Sequence, residues 1–321
     1  MRRLRNTKKV TACAGCRVIY YCGSAYQKAD WPNHKKLCKT IQTQIAHVYQ
    51  ALENVKQGLA QSGGDFRAYH QSSPVELESC HHYRYILARN YIKVNTFAGI
   101  NEGLKICVEV AKLDVQNKQN GQTAREFVPG LYLRLGQDQK CYESLKAKCN
   151  GDMEEIYRCD QNGIPRRTAK KEDFSLAHAA MLCVFKLRIL RDLRDLDRAD
   201  TALGNKLPAE LSNESRSYLI SEATKMDAAR MEAIDKREDL KPHMQKIEAD
   251  LHDLYGYINA LDADYFHALA DPEKYRKTQP MYQPELPIIE ALMQTYDVWA
   301  ETPGVFAICQ DLSRSWGRST G

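Results

Sequence analysis

The sequence predicts a mainly α-helical protein with a small, zinc-stabilised finger at its amino terminus. Three observations predict it. Apolar residues recur at helical spacing through most of the chain, and no series of alternating strands competes with them. Four of the eleven cysteines, Cys13, Cys16, Cys22 and Cys38, crowd into 26 residues. Charge is equally uneven: residues 1–40 hold ten Lys/Arg against one acid, or +9, and the remainder holds 36 basic against 40 acidic residues, or −4. The expected organisation is a finger over 1–40, a helix and linker over 41–73, and an all-helical body over 74–321.

Composition narrows the class. With 321 residues, 43% hydrophobic and 27% charged, the chain is a soluble folded protein and not a collagen-like or disordered one. No run reaches the roughly 18 apolar residues of a membrane helix. Met1 to Val10 is basic without an apolar segment behind it, so it does not read as a secretory signal. The expected place is intracellular, in cytoplasm and/or nucleus, where clustered thiols bind metal more often than they form disulfides.

Along the chain, Ile41, Ile45, Val48, Leu52, Val55 and Leu59 continue the helix that closes the finger, and Ser62-Gly63-Gly64 breaks it. Ser73 and Pro74 open a helix over Val75–Val94, and Phe97–Gln116 forms the next. Pro129-Gly130 predicts a loop before a shorter helix, Leu131–Leu145. Asn162-Gly163-Ile164-Pro165 is a break. Phe174–Leu196 carries Leu176, Ala180, Val184, Leu187 and Leu190 on one stripe. Pro208 starts another helix, Leu240–Leu269 is one more, and a proline-rich loop precedes Leu286–Glu301. Two adjacent helices of similar length, 75–94 and 97–116, give one reading of the body as a TPR-like stack of helical hairpins. A non-repeating helical domain is the other reading.

The finger carries the chemistry. Cys13-Ala14-Gly15-Cys16 is a knuckle that aims two sulfurs at a point about 2.3 Å away, the Zn–S distance. His34 and Cys38, four apart, share one face of a helix and complete a tetrahedron. Asp30 is the expected cap of that helix, with Pro32 in its first turn. The result is C-x2-C-x17-H-x3-C, a site for one Zn2+ with ligands Cys13, Cys16, His34 and Cys38. About 30 residues cannot bury enough core to fold without such a staple. Loss of the metal is expected to unfold residues 1–40 and leave the helical body standing.

These residues, together with Tyr21-Cys22, Gln27 and Trp31, resemble the carboxy-terminal two-thirds of a MYND-type zinc finger. That family binds two zinc ions through C-x2-C, C-x2-C, Y-C-x3-C-Q-x3-W-x2-H-x3-C. The resemblance implies that Cys13, Cys16, His34 and Cys38 form one complete site. It also implies that Cys22 is a remnant of the second site, which lacks its upstream C-x2-C pair and has Tyr26 where the family has a cysteine. Tyr26 favours a degenerate finger over a truncated one. Cys22 is then expected to be a small buried thiol. The resemblance further implies that Gln27 and Trp31 line a groove for a short proline-containing peptide of a partner. Phe127 to Tyr142 resembles a segment of fungal proteins that join such a finger to a helical body.

The implied function is a non-catalytic, zinc-binding interaction protein, with protein partners on the finger and helical body and no membrane. The alternative is a nucleic-acid-associated regulator that uses the basic head. A relative of the MYND-associated methyltransferases is a third reading. It would need a strand-rich domain and a Gly-rich cofactor segment; no Gly-x-Gly-x-x-Gly, phosphate-binding loop or His-Glu-x-x-His is present. Cys80-His81-His82 reads as a core thiol with surface imidazoles, Cys141, Cys149 and Cys159 as core or surface thiols, and Asp192, Asp195, Asp197 and Asp200 among arginines as a solvated salt-bridge face. Purified protein should contain close to one zinc per chain by elemental analysis; a value near two would require ligands outside this set.

Overall fold

A computed structural model describes residues 10–65, 69, 74–113, 120–149, 153–159, 174–203, 218, 220–272 and 287–318. The expected helix start at Pro208 and the expected break at 162–165 lie outside these residues. The chain groups into two compact units, Met1–Val128 and Pro129–Gly321.

The first unit begins with a minimal hairpin. Strand β1 (Thr11–Ala12) pairs antiparallel with β2 (Tyr20–Tyr21), Thr11 opposite Tyr21 and Ala12 opposite Tyr20. Helix α1 then runs from Ser24 to Gln61 without interruption. It begins earlier than the sequence suggested. Gly23 precedes it, and Asp30 is not a cap: it accepts a 2.6 Å hydrogen bond from the Tyr21 hydroxyl. Pro32 lies inside the helix. Its missing N–H leaves the Lys28 carbonyl without an intrahelical donor, and both residues face solvent, where water can serve. Helix α1 ends at Ser62, as expected for the Ser-Gly-Gly stretch.

Helix α2 (Pro74–Lys93) packs on α1, and α3 (Phe97–Leu113) packs on α2. The turn between them is built by Asn95 at φ 56° and by Thr96, whose hydroxyl accepts from Gly99 N–H at 3.1 Å and caps α3.

Helix α4 (Asn120–Arg134) contains Pro129 and Gly130. The expected loop there does not form. A Cβ on Gly130 would lie 3.1 Å from both Met181 Sδ and Val298 Cγ2. The glycine therefore serves close packing, not chain reversal. The break falls instead at Gly136 (φ 67°), which divides the expected Leu131–Leu145 helix into the end of α4 and α5 (Asp138–Lys148).

In the second unit, the short α6 (Met153–Tyr157) precedes α7 (Leu176–Leu203), whose residues 176–187 are all buried. A helix buried on every side must sit inside a ring of others. That ring includes α5, α8 (Glu222–Lys225), α10 (Lys241–Leu261), α12 (Pro287–Glu301) and α13 (Val305–Arg318). Helix α9 (Ala228–Lys236) follows α8. The expected Leu240–Leu269 helix is broken at Asp262–Asp264, and α11 (Tyr265–Ala270) follows. These helices, α7 included, run from 4 to 28 residues, and the ring packs around α7. No helix of the described residues is long and apolar enough to cross a membrane.

One expected surface feature is a buried one. Asp192 is fully enclosed, whereas its neighbours Asp197 and Asp200 are not. It accepts from Ser221 N–H at 2.6 Å, Thr224 Oγ1 at 2.8 Å and Arg191 Nη2 at 2.8 Å, and so ties the start of α8 to α7. The solvated-face reading fails here because an acid that satisfies backbone and side-chain donors can be buried where an unpaired one could not. His178, also enclosed, faces Ser175 Oγ at 2.7 Å, and burial pushes its pKa down to about 3, so it stays neutral. Replacing Asp192 with alanine leaves three donors unpaired and should destabilise the second unit by about 3 kcal/mol, read as a lower urea midpoint.

Candidate metal centre

The sequence places the ligands on two different kinds of structure. Cys13 and Cys16 sit in the tight turn between β1 and β2. Cys13 N–H donates to Ile19 O at 2.8 Å and Arg17 N–H to Cys13 O at 2.9 Å, while Arg17 itself adopts φ 62°. Gly15 is required at the turn's apex. A Cβ there would stand 2.6 Å from Cys38 Sγ and 2.6 Å from the Gln42 amide. His34 and Cys38 come from one face of α1.

The four ligand atoms of Cys13, Cys16, His34 and Cys38 lie within 4.8 Å of one another, and all four residues are buried. Cys13 Sγ and Cys38 Sγ are 3.7 Å apart, and Cys16 Sγ is 3.5 Å from His34 Nε2. A tetrahedron around zinc, with Zn–S about 2.3 Å and Zn–N about 2.0–2.1 Å, has edges of about 3.8 Å between sulfurs and about 3.6 Å between sulfur and nitrogen. The donor set and its edge lengths therefore fit one Zn2+. Three sulfurs and one imidazole suit zinc better than they suit calcium or magnesium, which take oxygen ligands.

Proton affinity points the same way. Burial acts to raise the Cys13 thiol, but backbone N–H groups of Cys16 and Gly15, with His34 and Cys38 beside it, outweigh burial and hold it down to about 6. Burial, then the neighbouring Cys13 sulfur, pushes Cys38 up to about 12. Cys16 is raised as well, chiefly by burial. Without a cation the pocket tolerates about one thiolate. A divalent ion is what allows three to coexist at this spacing.

Around the ligands lies a second set of contacts that the spacing of cysteines did not reveal. Tyr21 approaches His34 edge-on at 6.5 Å while its hydroxyl holds Asp30. Val18 O accepts from Thr96 Oγ1 at 2.8 Å. The ligands share their apolar core with Val18, Tyr21, Ile41 and Leu87, and Tyr91, Val94 and Ala98 pack on its edge. Leu87 and Tyr91 belong to α2 and Ala98 to α3, so the zinc knuckle is built into the helical part of the first unit. The signal that could have suggested this was the apolar stripe of α1 continuing past Thr40.

The other expected site residues lie at the rim. Trp31 contacts His34 edge-on at 6.0 Å and keeps 37% of its surface exposed. Gln27, one turn earlier on α1, is half-buried. Cys22 is exposed, contrary to the expectation of a buried thiol, because it follows Tyr21 out of the hairpin onto the solvent side. Tyr26 is exposed too. Of the remaining candidates, Cys80 and His81 are buried and His82 is exposed, so only one of the two imidazoles faces solvent. Among the described residues the four finger ligands are the one cluster of His, Cys, Asp or Glu able to hold a metal.

Comparison with known proteins agrees with this geometry. The MYND finger family matches residues 2–38. A Rho GTPase-activating protein of Dictyostelium discoideum is 56% identical over 35 residues, 11% of this chain and 3% of that protein. A SET domain and MYND-type zinc finger protein of Schizosaccharomyces pombe is 53% identical over 34 residues, 11% of this chain and 7% of that protein. A histone-lysine N-methyltransferase of Arabidopsis thaliana is 40% identical over 35 residues, again 11% and 7%. The chain thus spans only a small fraction of the length of these relatives. No solved structure matches. The chain carries a MYND-type finger with a Cys3His centre for zinc.

Two results are expected. Zinc uptake near neutral pH should release about two protons, from Cys16 and Cys38, so apparent affinity falls as pH is lowered and falls more steeply below about 6, where Cys13 also takes a proton. Calorimetry in buffers of different ionisation enthalpy reads this directly. Cys16→Ser should weaken zinc binding by more than about 100-fold. Hydrogen exchange should then rise not only in residues 10–40 but also across Leu87–Ala98, because the core is shared.

Proposed function

We propose that this protein is a non-catalytic, intracellular interaction protein whose MYND-type finger docks a short proline-containing segment of a partner through Gln27 and Trp31. The helical residues beyond the finger serve as scaffold and as further partner surface. The observation that carries this reading is the setting of Trp31. Its ring rests edge-on against His34, a zinc ligand, and still presents 37% of its surface to solvent. An aromatic ring fixed from behind by a metal centre loses little side-chain freedom on binding, which is what an anchor for an apolar residue needs. Gln27, four residues earlier and on the same face, can offer both a donor and an acceptor to the backbone of an extended peptide.

Support also comes from the comparisons. The likeness to relatives is confined to 34 or 35 residues, and those relatives differ widely by name: one a GTPase-activating protein, one a histone-lysine methyltransferase. A short element shared among proteins of such different named activity suits a binding module better than a catalytic one. The activities named for them are not carried over. A second reading, nucleic-acid association, is favoured by the exposed basic residues Arg17, Lys28, Lys35, Lys36 and Lys39.

The test is binding of a fluorescent proline-containing peptide to zinc-loaded full-length protein. Trp31→Ala should reduce affinity by at least about tenfold with the zinc content held at one per chain. Equal binding by wild type and variant would remove the peptide-docking reading. Tight binding to random duplex DNA near 150 mM salt, with a steep salt slope, would favour the second reading instead.

A further inference from the structure

The finger's own charge specifies its partner more closely. On α1, Lys28, Trp31, Lys35 and Lys39 fall at i, i+3, i+7 and i+11, the spacing of one helix face, and all four are exposed. None of these lysines, nor Lys36 or Arg17, forms an ion pair among the described residues. One acid is present in the first 40 residues, and that acid, Asp30, is already taken by the Tyr21 hydroxyl. Unpaired like charges on one face repel each other at every salt concentration below full screening. Elsewhere some exposed cations are paired within their own helix, as in Lys105 with Glu102 and Lys236 with Glu232. The α1 stripe thus gathers several unpaired cations on one helix face, and it adjoins an exposed aromatic ring that packs against a zinc ligand.

We infer that the docked segment is acidic, with carboxylates at alternate positions beside the apolar residue that meets Trp31. This rests on the peptide-docking reading above and adds the chemical class of its ligand. Helical rise sets the register. Lys35 lies about 6 Å along the axis from Trp31 and Lys39 about 12 Å. In an extended peptide, side chains that share one face repeat every two residues, or about 6.6–7 Å. An apolar residue on Trp31 thus brings the second residue beyond it to Lys35 and the fourth to Lys39. The pattern is proline–x–acid–x–acid, or its reverse.

A peptide accounts for this face better than a nucleic acid does. The cations on it are lysines, point charges on flexible stems, without the planar fork by which arginine grips phosphate. The stripe offers one exposed ring, where single-strand binders stack successive bases on several.

The experiment uses full-length, zinc-loaded protein and fluorescein-labelled peptides with cores Pro-Ala-Glu-Ala-Glu and Glu-Ala-Glu-Ala-Pro, each paired with a control in which Gln replaces Glu. At low salt one acidic order should bind about fivefold or more tighter than its Gln control. That advantage should shrink as salt is raised. It should vanish in the double variant Lys35→Gln, Lys39→Gln at an unchanged zinc-to-protein ratio. If Glu and Gln peptides bind equally well and Trp31→Ala weakens both, peptide docking stands and the acidic assignment falls. If no peptide binds, both fall together. If random single-stranded or duplex DNA displaces the acidic peptide, and its affinity drops more than the peptide's in the double variant, the face belongs to nucleic acid and the inference is overturned.

Discussion

A single coordination tetrahedron joins two stretches of chain that otherwise have little reason to meet. The turn at Cys13–Cys16 belongs to a hairpin of two-residue strands, too short to be stable alone. Helix α1 begins at Ser24 with no side-chain cap and no acidic residue in its first turn. Neither element has the local signals that make a structure self-sufficient. What fixes them is a centre worth about 10–16 kcal/mol of apparent binding energy in small fingers, held by thiols that burial alone would keep protonated. The metal is therefore part of the fold's energetics and not an accessory to it.

From that centre the order spreads through packing. Ile41 is wholly buried, one turn beyond the ligand Cys38, and Leu87 of α2 closes the same core. Thr96 ties the turn before α3 to the knuckle at Val18 while capping α3 itself. One hydroxyl thus satisfies a carbonyl of the finger and a helix N-terminus at once. A finger built this way transmits the state of its metal into α2 and α3. It is the leading edge of a helical unit rather than a bead on a string.

The sequence made some of this legible because some signals are local and others are not. Cysteine and histidine spacing is local: a knuckle and an i, i+4 pair can be read without knowing what lies between them. Helix existence was equally plain, since α2, α3, α7 and α12 follow apolar stripes that run for several turns. Misreadings came where one residue type serves two physical ends. Asp30 and Pro32 have the chemistry of a helix start, yet Asp30 is engaged by Tyr21 and Pro32 is tolerated at a solvent-facing position well inside the helix. Pro129-Gly130 has the composition of a turn, yet Gly130 is there so that Met181 and Val298 can come close. Asp192 stands in a run of mixed charges whose neighbours are partly or fully exposed, and only the fold tells that it alone is enclosed by donors. Each error is a case of tertiary contact deciding between two local meanings.

Charge completes the logic of the finger. Three thiolates with Zn2+ leave the centre formally at −1, and that deficit can be met by a single cation. The described head carries several more than that, and their side chains are exposed on α1 while the ligands are buried. If their purpose were to balance the sulfurs, they would be expected near the pocket, where attraction is strongest and least screened. Instead the pocket draws its positive character from backbone N–H groups at Cys13, and the lysines face water. A surface that keeps unpaired charge beside a rigid aromatic ring carries a standing electrostatic cost. An acidic partner relieves that cost when it docks, so its binding is favoured by what the free protein leaves unsatisfied.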